Sequence, residues 1–313
     1  MSRRDASVQP TRRRSPVVAP SIAGIPISNP GRVMYPAERL TKLDLARYYE
    51  AVAPRMVPHV AGRPLTLVHC PAGLNGECRY LRHSRVWGPA ALRRLRISEK
   101  TKVGEYLVAD SAAALVALAQ MDVLEIHTWN STDVALEHPD RIVWDLDPGP
   151  QVPWPVTVRA ANALRDVLAV LGLTAWVKTT GGAGLHVVVP VAPVTLWSAC
   201  LTFARQIAQL LERSSPLVFT TAFARRGRED RILVDYLRNN RTNTTVAAFS
   251  TRARPGAPVS VPLAWSELRD RPPAHRVATV LRRLARQKRD PWEDYLSCDQ
   301  RLTPQMAAAV RLL

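Results

Sequence analysis

Val143-Trp144-Asp145-Leu146-Asp147-Pro148-Gly149 is an apolar run that ends in two carboxylates, one apolar residue apart, and breaks at proline and glycine. A short apolar stretch bounded by turn residues reads as a strand, here Arg141 to Asp147. On a strand, residues i and i+2 share a face, so Asp145 and Asp147 point the same way. Two ionised carboxylates side by side repel each other, and a hard divalent cation with oxygen ligands relieves that repulsion. A pair of such ions is the arrangement that activates an attacking oxygen and stabilises a leaving one in phosphoryl chemistry. A solvated strand end with an Asp-Pro-Gly turn fits the same spacing. Asp235 closes a second apolar run, Ile232-Leu233-Val234. Beside the first strand it completes a three-carboxylate metal site with Arg238 and Arg241 near for phosphate; otherwise it is a strand-edge acid paired with a local arginine.

Outward from these runs, helical and strand signals alternate. Leu43, Leu45, Ala46, Tyr49, Val52 and Ala53 have helical spacing behind Thr41, a cap with Asp44 at the capping-box position, which predicts a helix over 42–57. Strands are expected at 64–70, 103–107, 124–129, 175–179, 185–190, 232–236 and 244–249, and helices at 111–120, 155–171 (closed by Gly172) and 195–212. Residues 273–313 are helical by composition and very basic from Arg276 to Arg289. No repeat and no long linker interrupts the pattern, so the fold class is mixed α/β (α+β) in one compact body over 22–300, with a disordered basic tail at 1–21 and a helical tail at 301–313.

Lys and Arg number 43 against 26 Asp and Glu, a net charge of +17 that points to a polyanionic partner, with nucleic acid ahead of an anionic membrane surface. Apolar residues at 47% supply a core and exclude a disordered or fibrous chain. The most apolar helix, Ala112 to Gln120, is closed off by Asp110 and Asp122, far short of a membrane span. The N-terminus has arginines but no apolar signal core, so the expected location is cytoplasmic, in association with the nucleoid. Arg3, Arg4, Arg12, Arg13 and Arg14 in the tail are either inert or add sequence-blind phosphate contacts. Four cysteines, Cys70, Cys78, Cys200 and Cys298, are too sparse for a disulfide scaffold and read as core or loop thiols, with a metal site between Cys70 and Cys78 a remote alternative.

Thr180-Gly181-Gly182-Ala183-Gly184-Leu185-His186 has the glycine density of a phosphate-cradling loop, since glycine lets backbone N–H groups approach oxygens closely. A strand follows it, not a helix, and no Gly-Lys-Ser/Thr is present, which excludes a Walker loop and a dinucleotide fingerprint. A hairpin with extra glycine is the plainer reading. His186 at the start of that strand favours a triphosphate. His127, in a strand, fits equally a hydrogen-bonded core histidine, as do His69 and His83.

Together these segments resemble the polymerase domain of the bacterial multifunctional DNA ligase D, of the archaeo-eukaryotic primase superfamily. The resemblance covers about residues 25–270 and rests on Ser28-Asn29-Pro30-Gly31-Arg32-Val33, Thr41 to Tyr49, His127-Thr128-Trp129, Asp145 to Gly149, Thr180 to His186, Asp235 to Asn239 and Arg252 to Ser260, in family order. It implies central β-sheets flanked by helices and in-line nucleotidyl transfer to a primer 3′-OH with release of pyrophosphate. Asp145, Asp147 and Asp235 would bind two divalent ions, Mn2+ or Mg2+. Thr180, Gly181, Gly182 and His186 would contact the NTP or dNTP triphosphate, His127 the nucleotide, and Arg228, Arg238 and Arg252 the phosphates. Asn29, Arg32 and Lys42 would grip a 5′-phosphate across a gap or break, and Tyr80 would stack on template. Ribonucleotides would be preferred, at gaps or double-strand breaks, beside the end-binding protein Ku.

This chain departs from the family pattern at several positions. Thr180 replaces a usual Ser, Ala183 a frequent Lys or Arg, Arg32 a Lys, and Arg79-Tyr80 an aromatic pair. No Lys-x-Asp-Gly adenylation motif is present, so ligation is expected from a separate ATP-dependent ligase and the polymerase is expected to stand alone. The competing readings are a basic DNA-end-binding or synapsis module with weakened catalysis, and a two-metal nuclease, for which the glycine loop would be idle.

Overall fold

The computed structural model describes residues 19–83, 88–310 and 312. The tail expected over 1–21 lies outside them as far as residue 18, and Ser21–Ile22 already pairs with Ile25–Pro26. Two sheets organise the molecule. The larger has six strands in the order Phe219–Thr220, Ile232–Asp235, Arg141–Pro148, Leu185–Pro190, Trp176–Thr179 and Pro262–Leu263, antiparallel throughout except for the first pair. The smaller has four, Thr245–Val246, Val123–Thr128, Leu65–His69 and Arg79–Leu81. A separate hairpin pairs Arg93–Ser98 with Val103–Val108.

The central strand shows why its sequence behaves as it does. Ile142, Trp144 and Leu146 face the main core, where Trp144 Nε1 donates to the Ala204 carbonyl at 2.9 Å in the helix Trp197–Ser214. Val143 lies on the opposite face with Val188, Trp292 and Tyr295, and Asp145 and Asp147 follow it there. Helix Trp154–Val170 buries Ala160, Ala161, Leu164 and Leu168 in the same core. Helix Lys42–Val60 begins with the expected capping box, Thr41 Oγ1 accepting from Asp44 N at 3.2 Å and Asp44 Oδ2 from Thr41 N at 2.9 Å. It runs three residues past the expected end.

Three expectations need correction. Cys70 and Cys78 are bridged, not free: they are the next pair beyond His69 and Arg79 in an antiparallel hairpin, and their Cα atoms lie 4.3 Å apart. Only Thr245–Val246 of the 244–249 run is a strand, because Phe249 adopts a positive φ of 64° and Ser250 N turns back to the Ala247 carbonyl. The C-terminal stretch holds two short helices, Val277–Arg286 and Pro304–Ala309, instead of continuous helix. Between them Trp292 and Tyr295 turn inward, and Trp292 Nε1 donates to the Val177 carbonyl at 3.0 Å. In the segment 301–313, Leu302, Met306, Ala309 and Val310 pack on the main core.

Candidate active site

A polar row crosses the apolar sheet. Asp145 is the direct cross-strand partner of both Asp235 and His186, and His186 of Lys178, so four strands present Asp235, Asp145, His186 and Lys178 side by side. The strand of Asp235 thus lies directly beside that of Asp145. The row faces the edge of the smaller sheet, and Lys178 Nζ bridges the two by donating to the Val246 carbonyl and Ser260 Oγ, each at 2.8 Å. A cleft of about 250 Å³ opens here, lined by Asp145, Asp147, His186 and Arg238, by Thr180 and Gly182 of the glycine loop, and by His127, Arg252 and Arg254.

Two glycines admit close backbone approaches that shape the cleft. A Cβ on Gly184 would lie 2.5 Å from the Leu146 carbonyl oxygen, so glycine lets the loop lie flat on the Asp145 strand. A Cβ on Gly149 would lie 2.2 Å from the Arg228 carbonyl, and this approach sets Arg228 Nη2 at 3.2 Å from Asp147 Oδ2. Thr180 is turned inward: its hydroxyl donates to the Gly184 carbonyl at 3.1 Å and accepts from Gly182 N at 3.2 Å. Gly181, at φ +70°, lies beneath the Arg252 side chain and does not line the cleft.

Arginines already neutralise the carboxylates. Arg238 sits between Asp145 and Asp235, 3.0 Å from each. Burial pushes Asp145 up, but His186 and Arg238 beside it hold its carboxyl well below the ordinary range. Asp235 is raised by burial and by the neighbouring Asp145, against the pull of Arg238. His186 is lowered to about 3 by burial and by the charge of Lys178, and its Nε2 lies 3.4 Å from Asp145 Oδ1. Among the described residues no three His, Cys, Asp or Glu side chains are gathered so as to hold a metal ion as they stand. The donor chemistry nevertheless fits divalent ions: neighbouring hard carboxylates, one held ionised, with a guanidinium bridging two of them where a cation is needed.

The outer residues divide into sets. Arg32 N donates to the Asn29 carbonyl at 2.9 Å and Lys42 N to the Arg32 carbonyl at 2.8 Å, which gathers Asn29, Arg32 and Lys42 at the start of the first long helix. Asp122 clamps the two cations, Oδ2 at 2.8 Å from Arg32 Nη1 and Oδ1 at 2.9 Å from Lys42 Nζ, so that Lys42 is almost wholly buried. Tyr80 stands 75% exposed beside the Cys70–Cys78 bridge. Arg241, expected near the phosphates, instead pairs with Glu137 at 2.6 Å and lies over the Trp129 ring.

Glu125 escaped the sequence reading. Two residues before His127 and on the same strand face, its buried carboxylate meets His127 Nε2 at 2.7 Å, Arg252 Nε at 3.1 Å and Ala253 N at 2.8 Å. Burial raises it, but the His127 hydrogen bond and the Arg252 charge bring it down to about 2. Asp122 and Lys178 were missed likewise; an acid or lysine inside an apolar run was the available signal.

A family model for the LigD primase-polymerase domain matches residues 41–292. The chain is 38% identical over 91% of its length to the multifunctional non-homologous end joining protein LigD of Pseudomonas aeruginosa, covering 34% of that protein. It is 33% identical over 84% of its length to the multifunctional end-joining DNA repair protein LigD of Mycobacterium tuberculosis, covering 36% of it. In fold it superposes on the polymerase domain of Mycobacterium tuberculosis ligase D, a structure in complex with DNA, with a TM-score of 0.82 at 30% identity, covering 87% of this chain and 98% of that one. The chain belongs to the LigD primase-polymerase domain family, which is a family of nucleotidyltransferases. It spans about a third of the length of these curated relatives. Among the described residues no helix is long and apolar enough to cross a membrane.

Proposed function

We propose that this chain extends DNA primers by metal-dependent nucleotidyl transfer, preferring ribonucleotides, across short gaps or at double-strand-break ends held by their 5′-phosphate, in non-homologous end joining. The catalytic unit is residues 22–300. The observation that carries this reading is the cross-strand row of Asp235, Asp145 and His186 opening onto a cleft walled by a glycine loop and arginines.

Asp145, Asp147 and Asp235 are the oxygen donors for two divalent ions, Mn2+ or Mg2+, which when bound supply Lewis-acid activation of the 3′-hydroxyl and neutralise phosphate charge. Arg238 keeps Asp145 and Asp235 neutralised beforehand and lies within reach of an incoming phosphate. His127 and Arg252, aligned by Glu125, meet the nucleotide, with Gly182 and His186 alongside, while Arg228 guards the rim at Asp147. Thr180 and Gly181 act through the shape of the loop. The primer 3′-hydroxyl gives its proton to water, its oxygen forms a bond to the α-phosphorus as the α–β bridging P–O bond breaks, and pyrophosphate leaves with that electron pair. Asn29, Arg32 and Lys42 hold the 5′-phosphate beyond the gap, and Tyr80 offers its ring to a template base. Ku at the ends and an ATP-dependent ligase activity complete the joining, in the cytoplasm at the nucleoid.

The test is extension of a primer on a 5′-phosphorylated gapped duplex with Mn2+, comparing NTPs with dNTPs for wild type and Asp145→Ala. Short ribonucleotide additions by the wild type, absent in the variant while DNA affinity stays within about threefold, are expected, because the carboxylates serve chemistry and the arginines affinity. DNA binding without extension under either metal would replace this reading with an end-binding module.

A further inference from the structure

We infer that Arg254 is the side chain that first receives the polyphosphate of a nucleotide in the cleft, an inference that rests on the nucleotidyl-transfer reading. Each other cleft arginine is already engaged. Arg238 is shared by Asp145 and Asp235, Arg252 pairs with Glu125 and donates to the Thr180 carbonyl, and Arg228 pairs with Asp147 at the rim. Arg254 also lines the cleft, is exposed, and has no acidic partner among the described residues.

Its position is fixed by geometry. A Cβ built on Gly182 would lie 3.0 Å from Arg254 Nη1 and 3.6 Å from its Cζ, so the guanidinium covers the glycine loop and a larger residue at 182 would push against it. The loop supplies no cation of its own, being Thr180, Gly181, Gly182, Ala183 and Gly184. The Arg254 backbone is held on both sides: Arg254 N donates to the Arg252 carbonyl at 2.8 Å, Tyr35 Oη to the same carbonyl at 2.9 Å, and Gly256 N to Glu38 Oε1 at 2.7 Å.

A phosphate drawn to Arg238 or Arg252 competes with an existing ion pair, one of them buried. A phosphate drawn to Arg254 gives up only solvation, and the planar guanidinium offers two parallel donors to one phosphoryl group. Arg254 therefore contributes to binding of the chain of phosphates more than to the rate of transfer.

Equilibrium binding of ATP, AMP and inorganic triphosphate with Mn2+, by calorimetry, tests this alongside primer-extension kinetics. For Arg254→Ala the Kd for ATP and for triphosphate rises about tenfold or more, the loss of one charge-assisted contact, while the AMP Kd stays within about twofold. KM for NTP rises in parallel with kcat changed less than about threefold, and Arg254→Lys restores part of the affinity. The shorter, uncharged but polar Arg254→Gln carries the same expectation if the alanine variant is unstable. An ATP Kd within twofold of wild type in both neutral variants overturns the inference, as does equal weakening of AMP and ATP. Wild type that binds triphosphate through Arg254 yet extends no primer would sink the polymerase reading and leave the assignment standing. Wild type that binds neither ATP nor triphosphate would overturn both.

Discussion

Glu125 joins two parts of the chain that the sequence keeps 127 residues apart, since its carboxylate accepts from His127 beside it and from Ala253 N far beyond it, and forms an ion pair with Arg252. Glu125→Gln keeps the shape and removes the charge, leaving Arg252 without its buried counter-ion. The expected result is a rise of about tenfold in the NTP KM with the overall fold retained, read from steady-state extension and circular dichroism. An unchanged KM would mean that the Thr180 carbonyl alone orients Arg252. Such residues are the ones that sequence reading loses. Asp145, Asp147 and Asp235 were legible because each ends an apolar run, whereas Asp122, Glu125 and Lys178 take their meaning from partners brought in by the fold.

Among the elements, the helix Lys42–Val60 links the Asn29, Arg32 and Lys42 cluster to the wall of the cleft. Its first turn carries Lys42, and further along, Tyr48 Oη donates to the Phe249 carbonyl at 2.8 Å while Tyr49 Oη lies 3.0 Å from Thr251 Oγ1. The two hydroxyls anchor the segment that bears Arg252 and Arg254. Tyr48→Phe leaves a buried carbonyl unpaired, a loss of about 1–3 kcal/mol. Thermal unfolding should shift down by several degrees and the NTP KM rise a few-fold, with the preference for a 5′-phosphorylated gap unchanged. A lower melting temperature with an unmoved KM would show that the other tethers suffice. The capping box of this helix and the strand 185–190 could be read from local spacing alone. Which strands lie side by side could not, because alternation marks a strand's two faces but not its neighbour. The Cys70–Cys78 bridge escaped for the same reason: the hairpin pairing of Leu65–His69 with Arg79–Leu81 creates the proximity.

For the whole molecule, pH is the simplest handle. His59, packed at its ring edge against Trp292 and near Tyr295, is lowered to about 3 by burial and by the charges of Arg141 and Arg63, and His275 is lowered to about 4 by burial and Arg283. Both stay neutral in the native state while the unfolded chain takes up protons below about 6.5. The unfolded state therefore binds more protons, and stability falls as pH drops from about 6.5 towards 4, by up to about 1.4 kcal/mol per pH unit for the buried His59. Urea midpoints measured across that range should fall steadily, and His59→Phe, which suits the aromatic surroundings, should flatten part of the slope. A slope equal to wild type in that variant would assign the acid sensitivity elsewhere. The mixed α/β class and the basic character were legible from composition and alternation. The facing of two sheets across a cleft was not, since it depends on long-range packing such as the Lys178 bridge to Val246 and Ser260.

The strand Arg141–Pro148 serves the core with Ile142, Trp144 and Leu146 and the cleft with Asp145 and Asp147. Because the two duties alternate residue by residue, one added or deleted residue ahead of Asp145 would behave like a frameshift confined to a single strand. It would turn the carboxylates into the hydrophobic interior and Trp144 towards the substrate, and no neighbouring substitution could restore the phase. Length variation among functional descendants of this chain is thus barred from this strand and left to surface loops.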